Sequence, residues 1–218
     1  MCFLCIIFDI MGITNFTSFI FASFIFVVSP GIDTIFVLNK SVTQGKKGGI
    51  YATLGICSGV LIHTILAALG LSLLLAKSAL AFSIIKYLGA VYLIYLGFLK
   101  LVLKKKSLEL TEPTTMASTR KTFLAAVLTN TLNPKVAIFF LAFFPQFISP
   151  NAITDAFPFI VLGATYALIS LLWFITLALF AGISTSKLKS NTSFFYWLNR
   201  FSGLVFISMG IKIAFTKR

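Results

Sequence analysis

The sequence predicts an all-α integral membrane protein: six transmembrane helices forming two inverted three-helix repeats, with helices one and four broken. The first observation behind this is composition. Of 218 residues, 59% are hydrophobic and 11% are charged, and the mean hydropathy is +1.03. A soluble domain needs a mixed surface, whereas apolar runs of about 20 residues are what cross a bilayer. The second is the presence of six such runs, at roughly 13–38, 50–76, 79–103, 122–147, 156–183 and 194–215. The third is a proline inside the first and the fourth run, Pro30 and Pro134, each preceded by a helix-capping residue. The chain reads as one domain over 1–218, with repeats at about 13–103 and 122–215 and a cytoplasmic linker over 104–121.

Met1–Ile10 is apolar and carries Cys2-Phe3-Leu4-Cys5. A C-x-x-C pair implies redox chemistry only in a βαβ setting, which is missing, so the segment reads as a short leader, or Met11 is the true start. It does not read as a signal peptide, because no basic residue precedes the apolar run. Cys57, alone in its helix, reads as a small packing residue.

Helix one breaks at Ser29-Pro30-Gly31, with Ser29 read as the N-cap of a second half-helix and Asp33 in its first turn. Helix two places Gly48, Ala52, Gly55, Gly59, His63 and Ala67 on one face. Small residues at that spacing allow close helix approach, within the chain or in a homodimer. His63 shares the face, so it points toward protein, either as a packed and hydrogen-bonded side chain or in a proton-handling role. Helix three carries Lys86, which can snorkel to the surface, and Tyr92 and Tyr95, which either pack or contact substrate. Helix four contains Asn130-Thr131-Leu132-Asn133-Pro134-Lys135, a second break with Asn133 as N-cap. Lys135 either pairs with Asp33 or a substrate carboxylate, or snorkels to the interface.

Net charge is +13, from 18 basic and 5 acidic residues. The basic residues lie mostly in loops, which is the signature of membrane topology and not of nucleic-acid binding. Loops one, three and five hold twelve of them, with Lys100 and Arg200 included, which sets those loops in the cytoplasm and both termini outside. Lys212, Lys217 and Arg218 near the C-terminus run against that count.

The halves match weakly but in order: Ser29-Pro30 with Asn133-Pro134, Leu54-Gly55 with Leu162-Gly163, and Lys86-x-x-Gly89 with Arg200-x-x-Gly203. Three helices per repeat is an odd number, so the second half must be inverted. Inverted repeats with broken helices at matching places are a transporter signature. A half-helix starting at depth offers free N–H groups to an anion, and Asp33 offers a carboxylate to an ammonium. Ser29, Pro30, Gly31, Asp33, Asn133, Pro134 and Lys135 are therefore the candidate substrate-binding residues. His63, Tyr92 and Tyr95 are the candidates for further proton or substrate contact. The pattern suits a zwitterionic amino acid.

At these residues the sequence resembles the LysE/RhtB family of amino-acid exporters. Pro30-Gly31-Ile32-Asp33 is similar to the family's Pro-Gly-Pro-Asp, and Asn133-Pro134-Lys135 to its Asn-Pro-Lys. Lys86-Tyr87-Leu88-Gly89-Ala90 and Tyr92–Gly97 are similar to its third helix. The likeness covers about Gly12 to Lys212; Ile32 departs from the family's second proline, and the leader has no match. The resemblance implies a multi-pass protein of the cytoplasmic membrane. It also implies export of small amino acids or derivatives such as threonine, homoserine, leucine or lysine, coupled to the proton gradient or by antiport.

The alternative is a metal-cation exporter, for which Asp33, His63 and Cys57 are few ligands. A membrane redox enzyme lacks a cysteine pair within the spans, and a passive scaffold gives no reason for two matched breaks. There is no P-loop, hydrolase or kinase motif. The chain is thus expected to be no enzyme, to need no cofactor or metal, and to meet its substrate, protons and the bilayer but no nucleic acid, with a homodimer left open.

Overall fold

The computed structural model describes Phe8 and residues 11–72, 78–102, 118–181 and 192–215. The predicted leader (Phe8 apart), Lys77, most of the linker, Lys187 and Lys189 of loop five and the final three residues lie outside these. The described residues are helical apart from turns and one isolated bridge.

Span one consists of α1 (Phe16–Val28) and α2 (Ile32–Thr43), which meet at 53°. Span two is α3 (Gly45–Leu66), continued by a π turn at Ala67–Leu71; span three is α4 (Ala79–Val102). Span four consists of α5 (Thr119–Thr131) and α6 (Pro134–Ile138), the latter continued by a π turn, Phe139–Phe143, and a 3-10 turn, Phe144–Phe147. Its two parts meet at 47°. Spans five and six are α7 (Ala156–Ala181) and α8 (Thr192–Phe215). Among the described residues four helices are long and apolar enough to cross a membrane, and the two bent pairs, each taken as one span, bring the number to six.

Both breaks follow from proline. It has no N–H and pushes the residue before it into extended backbone. Ser29 (ψ 116°) and Asn133 (ψ 109°) are both so placed. The details then diverge from the sequence expectation. Asn133 caps α6 as expected, its side chain accepting from Lys135 N, with Pro134 in the first turn. Ser29 does not cap α2. It closes α1, donating its N–H to Ile25 O, and Gly31 stands extended as the residue before α2. The first loop is also shorter than read: α3 starts at Gly45, so Lys46 and Lys47 lie in its first turn. Likewise, residues 118–121 of the expected linker form the cap and first turn of α5.

The small-residue face of α3 is buried throughout. A Cβ on Gly55 would strike the Phe123 carbonyl and Ala126, and one on Gly59 would lie 2.7 Å from Asn130 Oδ1. The stripe therefore seats α5 within the same chain.

Spans one and four run in opposite senses. The start of the first is bonded to the end of the second through Thr14 N to Phe147 O and Ser149 N to Gly12 O, both 2.8 Å. Spans three and six cross at glycines that exchange roles. A Cβ on Gly97 would lie 2.6 Å from Gly203 O and 2.7 Å from Ile207; one on Gly210 would lie 2.7 Å from Ala90 O and 2.7 Å from Ile94. This reciprocity is what a two-fold relation between halves produces. It pairs Gly203 with Ala90, one residue on from the Gly89 match seen in the sequence.

Candidate functional site

The two breaks face each other and enclose a cavity. Asp33 is the second residue of α2 and Lys135 the second residue of α6, so the opposite charges occupy matching places. Each reaches across to the other broken span. Asp33 Oδ2 accepts a 2.9 Å hydrogen bond from Asn130 Nδ2 in the last turn of α5. Lys135 Nζ donates to Phe26 O (2.9 Å) and Ser29 O (3.0 Å), carbonyls at the end of α1. A cation at a helix C-terminus and a carboxylate in a first turn both complement the helix dipole. The direct Asp33–Lys135 pair is not formed in this arrangement, and Lys135 does not snorkel; its ammonium closes the end of α1 instead.

The remaining polar residues lining the cavity are Ser29, Thr34, Asn133, Tyr166 and Ser170. Asp33 Oδ1, Asn130 Oδ1 and Ser29 Oγ are buried with no hydrogen-bond partner. Such groups are costly when left unpaired, and all three residues line this cavity. The rest of the lining is apolar, largely Val27, Ile56, Val60, Val136 and Phe174. The cavity measures about 10 Å³, room for roughly one water. The site is closed.

His63 Nε2 donates to the backbone oxygen of Asn130 at 3.3 Å, and its ring lies 5.5 Å from that of Phe140. It is thus joined to Asp33 through Asn130, one step back from the cavity. Tyr92 and Tyr95 are not brought to the site: they sit 6.3 Å apart on α4, and Tyr95 is 55% exposed. Pro30 and Gly31 shape the break, and Gly31 lines the cavity.

Sequence reasoning missed Lys100. Counted among the loop cations, it is 8% exposed; its Nζ donates to Pro30 O (2.8 Å) and to Asn199 Oδ1 on α8 (2.9 Å). Two lysines from different spans therefore hold three carbonyls of one break. The signal was helical spacing: Ala90, Leu93, Gly97 and Lys100 all lie on the buried face of α4. Asn130 and Tyr166 were also missed. Asn130 is a fully buried amide at the foot of the Asn133 motif and could have been flagged as a polar group at depth.

Among the described residues no three His, Cys, Asp or Glu side chains come together as a metal site would require. Cys57 is half-buried, with its thiol 3.9 Å from Ala167 O on α7.

Comparison with known proteins adds three findings. A family model described as LysE type translocator matches residues 24–217. The chain is 34% identical over 195 residues to an uncharacterized membrane protein, YrhP, of Bacillus subtilis (strain 168), covering 85% of this chain and 91% of that one. It is 31% identical over 205 residues to a leucine efflux protein of Salmonella choleraesuis (strain SC-B67), covering 93% and 96%, and 30% identical over 206 residues to a leucine efflux protein of Enterobacter sp. (strain 638). No solved structure matches.

Proposed function

The chain belongs to the LysE type translocator family, and from that premise we propose that it exports amino acids with apolar side chains, leucine among them, across the cytoplasmic membrane. The observation that carries the proposal is the cavity at the two breaks, whose lining combines Asp33 and Lys135 with aliphatic and aromatic side chains. An α-amino acid has the same combination. Its ammonium suits Asp33, and its carboxylate suits the Lys135 ammonium. Its side chain suits Ile56, Val60, Val136 and Phe174. The names of the leucine efflux relatives point the same way.

Loading has a consequence for Lys135. To meet a carboxylate its ammonium must leave the carbonyls of Phe26 and Ser29, which frees the end of α1. Substrate binding and movement of the first break are then one event, as alternating access requires. With no nucleotide motif in the chain, export draws on a gradient, and proton antiport is the coupling proposed here. Asp33 is the proton site, and His63, bonded to the main-chain oxygen of the residue whose side chain holds Asp33, is the second ionisable group near it. The chain makes and breaks no covalent bond.

Binding of labelled leucine to purified protein in detergent tests the site. Wild type should bind saturably, and Asp33→Asn and Lys135→Met should each weaken binding by about 10²-fold, the loss expected when one partner of a buried charged contact is removed. Unchanged binding in both variants would refute it.

A further inference from the structure

A second, larger space lies beside the closed site. A cavity of about 340 Å³ is walled by Ser18 and Phe21 of α1, Phe143 and Gln146 of span four, and Ser208 and Met209 of α8. Asn15 and Phe147 also line it, so it sits at the membrane face where span one begins and span four ends. Three buried rings separate it from the site. Phe26 lines the site and lies 4.1 Å from Phe139 and 5.1 Å from Phe206. Phe139 in turn lies 4.7 Å from Phe143, which faces the larger cavity. The partition is a run of contacting rings, with Phe26 on the site side and Phe143 on the side of the larger cavity.

We propose that this cavity is the vestibule through which the transported amino acid leaves, and that Phe26, Phe139 and Phe206 form the gate between it and the site. The proposal rests on the exporter reading above. Size is the first argument: small-molecule pockets begin at about 300 Å³, which the vestibule reaches and the closed site does not. Continuity is the second. The broken spans one and four wall both spaces, so the parts that would move to open the site also bound the vestibule. Chemistry is the third. The vestibule is apolar apart from Asn15, Ser18, Gln146, Ser208 and the cation Lys212, and Gln146 Nε2 is a buried donor with no hydrogen-bond partner. A passing carboxylate or its water would satisfy it.

The gate is also tied to the site. Lys135 Nζ lies 4.5 Å from the Phe26 ring centre and 5.6 Å from that of Phe206, within range for cation–π attraction. When Lys135 turns to a substrate carboxylate, Phe26 loses its cation, and Phe206 keeps only Lys100, 5.9 Å from its ring centre. The π turn at Phe139–Phe143 gives span four an irregular segment at the level of the gate, a feature often found at functional sites.

The test is accessibility to a charged, membrane-impermeant thiol reagent, in a parent with Cys2, Cys5 and Cys57 replaced by Ser. Reaction is followed in intact cells and in inside-out vesicles. Ser208→Cys should react from one side only, and leucine should slow it. Ser29→Cys should be unreactive from that side until Phe206→Ala or Phe139→Ala is added, and then react about tenfold faster or more from that same side. Failure of Ser208→Cys to react from either side would overturn the proposal and give the cavity to a lipid chain. So would a Ser29→Cys rate unchanged in both ring variants. Leucine without effect on Ser208→Cys would overturn the assigned occupant. Leucine export by the parent is measured in the same cells. Absence of export with the labelling pattern intact would refute the exporter reading and leave the gate standing.

Discussion

At Asp33 one carboxylate oxygen accepts from Asn130 and the other is buried with no partner. A buried charge held this way is costly to the fold and useful to a ligand. Asp33→Asn should therefore raise the thermal midpoint in detergent while abolishing leucine export; a lowered midpoint would mean the carboxylate is structural. The two lysines should behave in the opposite way. Lys135→Met leaves Phe26 O and Ser29 O unpaired, and Lys100→Met leaves Pro30 O and Asn199 unpaired. Each should cost about 1–3 kcal/mol of stability, read as a lowered midpoint; no shift in either would refute the brace. Asp33, Asn133 and Lys135 were legible in the sequence because each stands beside a proline within an apolar run. What they touch was not legible, because their partners come from other spans. Lys100 was misplaced for a related reason: a charge count assigns it by distance along the chain, whereas the fold assigns it by helical face.

At the scale of elements, the breaks and the small-residue face of α3 position the site. A Cβ on Gly59 would press on the side chain of Asn130, the residue that holds Asp33. Gly59→Ala should reduce export more than it reduces stability, because the displaced atoms belong to the site. Gly55 faces the Phe123 backbone, which cannot turn away. Gly55→Ala should cost about 1–3 kcal/mol by overpacking, whereas Gly70→Ala, with open space at its Cβ, should leave the midpoint unchanged. Equal midpoints for the two variants would show that α3 and α5 pack differently. The sequence marked the stripe and both breaks. It misjudged the start of α2 because a Ser-Pro pair reads the same whether Ser closes one helix or opens the next. Only the backbone of Gly31 decides between them.

For the whole molecule, six apolar spans were legible from composition alone, since little else satisfies a chain with so few charges. The relation between halves was legible only in outline. The matched breaks were evident, but the register of the third pair was off by one residue, because single Gly and Lys matches cannot fix helical phase. The glycine contacts between α4 and α8 do. The arrangement is a closed carrier, with matching helix ends facing a space that holds roughly one water. Opening it must move both breaks. The most direct test of this account is efflux of labelled leucine from proteoliposomes containing the purified protein, measured with and without an imposed proton gradient. Wild type should release leucine faster than protein-free liposomes, faster still with an opposing proton gradient, and Asp33→Asn should fall to the protein-free rate. Leucine release by Asp33→Asn equal to wild type, or none by wild type, would contradict it.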